Sequence, residues 1–159
     1  MFSSIRRNTR AFSLIELVIV VVIIGIIAAI AIPRMSRGAT GANDNALLGN
    51  LSVLRKAVDL YQAEHSAFPT DETTITNQLT QYTDAAGAVS ATRTGNFIYG
   101  PYLRAIPPLT VGAAKGQVAF VATQGGTTAG WVYDATAGTV KANCPDAEVD
   151  AAGKKYNTY

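Results

Sequence analysis

The stretch FSLIELVIVVVIIGIIAAIAI, residues 12–32, decides how this chain is read. Only Ser13, Glu16 and Gly25 interrupt its apolar residues. At about 1.5 Å of rise per residue, a helix over this stretch is about 32 Å long, enough to cross a hydrocarbon core of about 30 Å. It reads as a membrane span. A secretory signal has a shorter apolar core with small residues at its exit, whereas this one runs on into Pro33 and Arg34. The preceding residues, MFSSIRRNTRA, hold Arg6, Arg7 and Arg10 and no acid. By the positive-inside rule the N-terminus is then cytoplasmic and everything beyond Ile32 lies outside the inner membrane. Arg34 and Arg37 reduce that asymmetry without reversing it. Glu16 stands apart, because a carboxylate within a span costs about 2.5 to 3.5 kcal/mol. Either it reaches the headgroups from four residues inside the stretch, or it awaits a cation at the same depth.

Composition narrows the rest. The 159 residues allow one compact unit plus an appendage, and 48% hydrophobic against 15% charged residues exclude a disordered chain. Net charge is +2, yet without residues 1–11 the chain keeps 10 basic and 11 acidic groups. Such a body carries no electrostatic footprint for nucleic acid, and its densest basic feature is the pair Lys154 and Lys155. A single cysteine, Cys144, excludes an internal disulfide, and a single histidine, His65, excludes sites needing two imidazoles. Any nucleophilic triad would have to use His65, and no GxxxxGK[ST] loop is present. The expectation is a protein that is not an enzyme and binds no nucleic acid.

Beyond Pro33 the segment RMSRGATGAND, with Gly38 and Gly41, reads as a soft patch, and Gly38, Gly41 and Gly49 read equally as close-packing points between neighbouring helices. Leu47, Leu51, Leu54, Val58 and Tyr61 then recur at spacings of one helical stripe, with Arg55, Lys56, Asp59 and Glu64 off it. This predicts an amphipathic helix ending near His65, its apolar face on the protein's own core. Ala67, Phe68 and Pro69 stop it. Residues 71–95 read as a polar loop with one short helical turn. Strand character follows at residues 117–123, 130–133 and 139–142, separated by glycine-rich turns, which predicts an antiparallel meander. Residues 96–99 add an edge strand or a buried loop. The fold class is α+β: a long helix packed on a small antiparallel sheet. Domain boundaries are expected at 1–11, 12–33, 34–66 and 67–159. Cys144 is expected as a buried hydrophobe, His65 at the helix C-terminus or in solvent, and the aromatics Trp131, Tyr133, Tyr99 and Tyr102 as packing. Asn50-Leu51-Ser52 matches a glycosylation triplet inside the helix, where it has little force.

The string Arg10-Ala11-Phe12-Ser13-Leu14-Ile15-Glu16-Leu17, followed by the Val/Ile run and Pro33, resembles the type IV prepilin and type II secretion pseudopilin signature. The resemblance implies cleavage between Ala11 and Phe12 by a prepilin peptidase, then N-methylation of Phe12. Ala11 stands where the family usually has Gly. It also implies that Glu16 meets the new α-amino group of a neighbouring subunit and sets the register of the incoming helix. In filaments of this family the segment matching Gly25 to Pro33 loses helicity. Leu54 to Tyr61, running to Phe68-Pro69-Thr70, and Gly100-Pro101-Tyr102-Leu103 with Ile106-Pro107 are similar to the major pseudopilin branch. The Asp-Pro-Trp-Gly segment usual there is replaced by Pro108-Leu109-Thr110-Val111. Many type IV pilins close a C-terminal loop with a disulfide, which one cysteine does not allow.

The expected partners are therefore further copies in a helical filament, the peptidase, minor pseudopilins, and an inner-membrane assembly platform driven by an ATPase. The expected location is the inner membrane, single pass, with the body in the periplasm and the filament there or at the cell surface. A surface pilus subunit and an uncleaved, anchored periplasmic binding domain are the alternatives. Asp146, Glu148 and Asp150 alternate near the C-terminus, and major pseudopilins bind calcium in a C-terminal loop. Their spacing matches no specific calcium motif, so a solvated acidic tail is expected, with calcium as the alternative and otherwise no cofactor.

Overall fold

A computed structural model describes residues 12–159, so the expected leader, residues 1–11, and the Ala11 side of the cut lie outside the described residues. The elements run α1 (Leu14–His65), α2 (Ile75–Thr80), β1 (Tyr82–Thr83), β2 (Val89–Ser90), β3 (Phe120–Val121), β4 (Trp131–Asp134) and β5 (Thr139–Ala142), with a 3₁₀ turn at Tyr156–Thr158. The chain divides into two compact units, Met1–Ala39 and Thr40–Tyr159.

In the first unit α1 carries the apolar stretch Leu14–Ile32, none of it buried within the protein. Its backbone stays helical through Gly25 and Pro33 and through the whole of residues 34–44. The patch read as soft is therefore helical, as part of a helix that runs without a break from the apolar stretch to His65. A helical glycine costs only about 1 kcal/mol against alanine, and one proline removes a single backbone bond.

In the second unit the expected stripe is the core. Leu47, Leu51, Leu54, Val58 and Tyr61 are each no more than 2% exposed. They join one cluster with Ile75 and Leu79 of α2 and Trp131, Tyr133, Val140 and Ala142 of the sheet. Each fully buried aliphatic side chain contributes about 1.5 to 3 kcal/mol relative to exposure. Along β4 the pleat turns Trp131 and Tyr133 inward and Asp134 outward, and β5 turns Val140 and Ala142 inward. The antiparallel register, Trp131 opposite Ala142 and Tyr133 opposite Val140, brings those four onto one face. The polar ends of the two aromatics tie loops to the core. Trp131 Nε1 donates to Pro107 O (2.9 Å) and Tyr133 Oη to Pro69 O (2.8 Å).

The strands depart from the expected meander in one respect. β4 and β5 are antiparallel, whereas β3 is reduced to two residues and pairs parallel with β4. Residues 122–130 make an excursion too long for a hairpin turn. Asn143 holds it, donating from Nδ2 to Gly125 O (3.0 Å) and Ala129 O (2.9 Å) while Oδ1 accepts from Gly125 N (2.8 Å). The chain is thereby returned in its original direction. In the segment expected to be a loop, β1 and β2 form a small antiparallel hairpin after α2. Asp84 Oδ1 closes its turn by accepting from Ala86 N and Ala88 N, and Gly87 supplies the left-handed residue at φ 81. Residues 96–99, expected as an edge strand or a buried loop, form a half-exposed loop with a single bridge, Tyr99 to Thr83.

Candidate functional site

The first turn of α1 is where the sequence concentrates unusual chemistry. Ser13 precedes the helix and its carbonyl accepts from Leu17 N (3.2 Å). Glu16, three residues on, reaches back so that Ser13 N donates to its Oε2 (3.0 Å). This is half of a capping box, with the acid also at the favourable end of the helix dipole. Glu16 is exposed and uses one carboxylate oxygen on its own helix. Phe12 and Leu14 are each 81% exposed. Next come Ile15, Leu17 and Val18, and every large aliphatic side chain from there to Ile32 is at least 48% exposed. A helix apolar all round is stable only where something apolar surrounds it, whether lipid or other helices. The 19 residues Leu14–Ile32 span about 28 Å at helical rise, the thickness of a hydrocarbon core.

Residues 6–32 match the prokaryotic N-terminal methylation motif. The chain carries a type IV pilin-like prepilin signature. No curated protein and no solved structure matches the chain. Arg6, Arg7, Arg10, Ala11, Phe12 and Glu16 all fall within the match, which ends at Ile32. The signature implies processing by prepilin peptidase and assembly into filaments, and it accords with anchoring through the apolar helix. Together with the helix-on-sheet body it gives an α+β pilin fold.

The other singled-out residues fall elsewhere. Gly25 lies within the exposed helix with open space where a Cβ would be, and the same holds for Gly38, Gly41 and Gly49. The three C-terminal carboxylates are not brought together. Asp146 is held by Lys155 Nζ (2.6 Å) and Asn157 Nδ2 (2.7 Å), which lower its pKa. Asp150 accepts from Ala152 N and Lys154 N (both 2.8 Å) and from Tyr159 Oη; the last contact, first among its causes, lowers its pKa. Glu148 Oε1 accepts from Ala113 N (2.8 Å), while its buried Oε2 lies beside Cys144. Among the described residues no group of three His, Cys, Asp or Glu is placed to hold a metal ion. Cys144 is fully buried, and burial first, then Glu148, pushes its thiol up to about 12.

His65 corrects the expectation of a helix-end or solvent position in part. Its Nδ1 meets the helix carbonyl Tyr61 O (3.1 Å), but Nε2 lies 3.0 Å from both Asp84 O and Thr83 Oγ1, and the ring stacks on Tyr61. It joins α1 to the β1–β2 hairpin. Three residues the sequence did not single out hold the body together. Arg55 donates from Nε (3.2 Å) and Nη2 (3.0 Å) to Val140 O and from Nη2 to Tyr159 O (2.5 Å). Asn143 pins residues 125–129, and Tyr156 Oη donates to Asp44 Oδ1 (2.7 Å). Arg55 stood next to the stripe with the other charged residues, so only its flanking position hinted at a role.

Proposed function

We propose that this protein is a pseudopilin of a type II secretion system, cleaved between Ala11 and Phe12, N-methylated on Phe12, and lifted from the inner membrane into a helical filament. The observation that carries the reading is the match of residues 6–32 to the methylation motif, over a helical stretch, Leu14–Ile32, of which nothing is buried within the protein. Cleavage creates an α-amino group with an ordinary pKa of about 7.7 to 8.0, which must enter an apolar bundle as subunits join. Glu16 answers that charge. Its Oε2 accepts from Ser13 N of the same chain, and Oε1 is the oxygen we assign to the ammonium of a neighbour. Both charges are costly unpaired, so the pair fixes register more than it adds affinity. The apolar helices fill the filament core and the bodies cover it. Energy for extraction comes from a partner ATPase acting through a membrane platform.

The helix end from Leu54 to Thr70, the Gly100 to Leu103 loop and the single cysteine favour the pseudopilus. The missing Asp-Pro-Trp-Gly segment keeps a surface type IV pilus subunit as the second reading. The test is Glu16→Ala in cells: processing proceeds, filaments are lost, and secretion falls. Normal filament yield from that variant refutes the role of Glu16. Long sheared extracellular filaments with unchanged secretion on deletion favour the surface pilus.

A further inference from the structure

Calcium takes about six to eight oxygen ligands, and Asp146, Glu148 and Asp150 are the carboxylates from which the resemblance would draw them. Their oxygens are already engaged, and the three groups do not converge on one point. Lys155 Nζ donates to Asp146 Oδ2 (2.6 Å) and Asn157 Nδ2 to its Oδ1 (2.7 Å). Asp150 Oδ1 accepts from Ala152 N and Lys154 N (both 2.8 Å), and its Oδ2 from Tyr159 Oη. Glu148 Oε1 accepts from Ala113 N (2.8 Å), which leaves Oε2, buried beside Cys144. The positive charge comes instead from the chain. Asp150 N donates to Lys154 O (2.9 Å) and Tyr156 N to Glu148 O (3.2 Å), closing a turn whose Lys155 bridges back to Val149. That turn delivers the Lys155 ammonium to Asp146. Asn157, on the same carboxylate, also donates to Gln124 Oε1 (3.1 Å), and Gln124 Nε2 donates to Cys144 O (2.5 Å). The clasp thus reaches the excursion that Asn143 holds. Lys154 Nζ lies 3.6 Å from the centre of the Tyr159 ring, whose hydroxyl serves Asp150.

We propose that the Lys155 ammonium is the resident cation of this loop: with Asn157 it clasps Asp146 to the turn, and residues 144–157 fold without calcium. Lys155 and Asp146 are 46% and 68% exposed, so the pair directs this loop and adds little to the stability of the whole body. The inference concerns residues 144–157 alone and holds equally for a pseudopilus and for a surface pilus.

Amide hydrogen exchange by mass spectrometry on the full chain in detergent micelles, with EGTA or with calcium chloride, tests it. The amides of Asp150, Gly153 and Tyr156, each bonded to a carbonyl within the loop, report its closure. A calcium site of ordinary extracellular affinity, Kd about 10⁻⁴ to 10⁻³ M, slows their exchange about 10- to 100-fold at about 10 mM calcium. The expected change is less than about twofold. Lys155→Met is expected to speed the same amides about two- to fivefold in either medium, while residues 50–62 keep their protection. Lys155→Arg, which keeps the charge, stays near the parent, and about 1 M salt moves the parent toward Lys155→Met without moving Lys155→Met itself. Calcium that slows exchange tenfold in the parent or in Lys155→Met overturns the proposal. So does a loop whose exchange is the same in Lys155→Met as in the parent.

Discussion

Arg55→Met is the sharpest probe of how the body is held together. The substitution keeps an apolar stem of similar length and removes only the guanidinium, which spans Val140 O and Tyr159 O. Hydrogen bonds to a charged donor contribute about 1.5 to 3 kcal/mol each, and an acceptor left buried without a partner costs about as much. The Val140 carbonyl borders a groove of about 310 Å³ lined by Arg55, Asp59, Phe68 and Lys141, so water reaches it and offsets part of the loss. The expected cost is about 2 kcal/mol for the two acceptors together. With a urea dependence of about 2 kcal/mol per molar, the midpoint falls by about 1 M. Trp131 is the sole tryptophan and is fully buried beside β5, so its fluorescence reports unfolding of this unit in the detergent-solubilised full chain. Arg55→Lys is expected between parent and Arg55→Met, since one ammonium cannot serve both acceptors with the geometry of a planar fork. An Arg55→Met midpoint within about 0.2 M of the parent would refute the reasoning.

Asn143→Ala removes three hydrogen bonds from a residue only 2% exposed and leaves Ala129 O buried. It is expected to cost about 2 to 4 kcal/mol and to open residues 124–130 to limited proteolysis, whereas an unchanged cleavage pattern would show that the loop holds itself. The Cys144 thiol, raised to about 12, is neutral in the fold at pH values where it ionises in the unfolded chain. A raised folded pKa stabilises fully below the ordinary value of about 8.5, and that stabilisation fades as pH climbs toward 12. Urea midpoints of the parent therefore drop between pH 9 and 10, while those of Cys144→Ala stay level until tyrosines begin to titrate. At pH 8 the thiol is expected to react with a disulfide reagent only as fast as the protein unfolds, which timed labelling across urea concentrations checks.

What was legible in the sequence followed periodicity. The spacing of Leu47, Leu51, Leu54, Val58 and Tyr61 located the buried face of α1, and the alternation in Trp131 to Tyr133 and Thr139 to Ala142 located the antiparallel pair. Both signals arise from burial repeated along one element. The parallel pairing of β3 was not legible, because it depends on Asn143 holding a loop 14 to 18 residues earlier in the chain. The β1–β2 hairpin escaped notice because two-residue strands carry no period, although Asp84 and Gly87 bore the chemistry of its turn. The soft patch at residues 34–44 is helical because neighbouring turns of a long helix carry weak formers. At the N-terminus, Phe12 and Glu16 were singled out by their likeness to the prepilin signature, and the structure added the Glu16 to Ser13 bond. The three C-terminal carboxylates looked alike in sequence, and the fold gave each a different set of donors.

The central claim is that this chain is processed at Ala11 and Phe12 and then assembled through the amine so released. The most direct measurement is the intact mass and N-terminal peptide of the protein isolated from its native membrane. The account predicts a chain that begins at Phe12 and carries one methyl group on its amine. A chain that retains residues 1–11 lacks the charge Glu16 is held to meet, contradicts the filament mechanism, and leaves an anchored domain in its place.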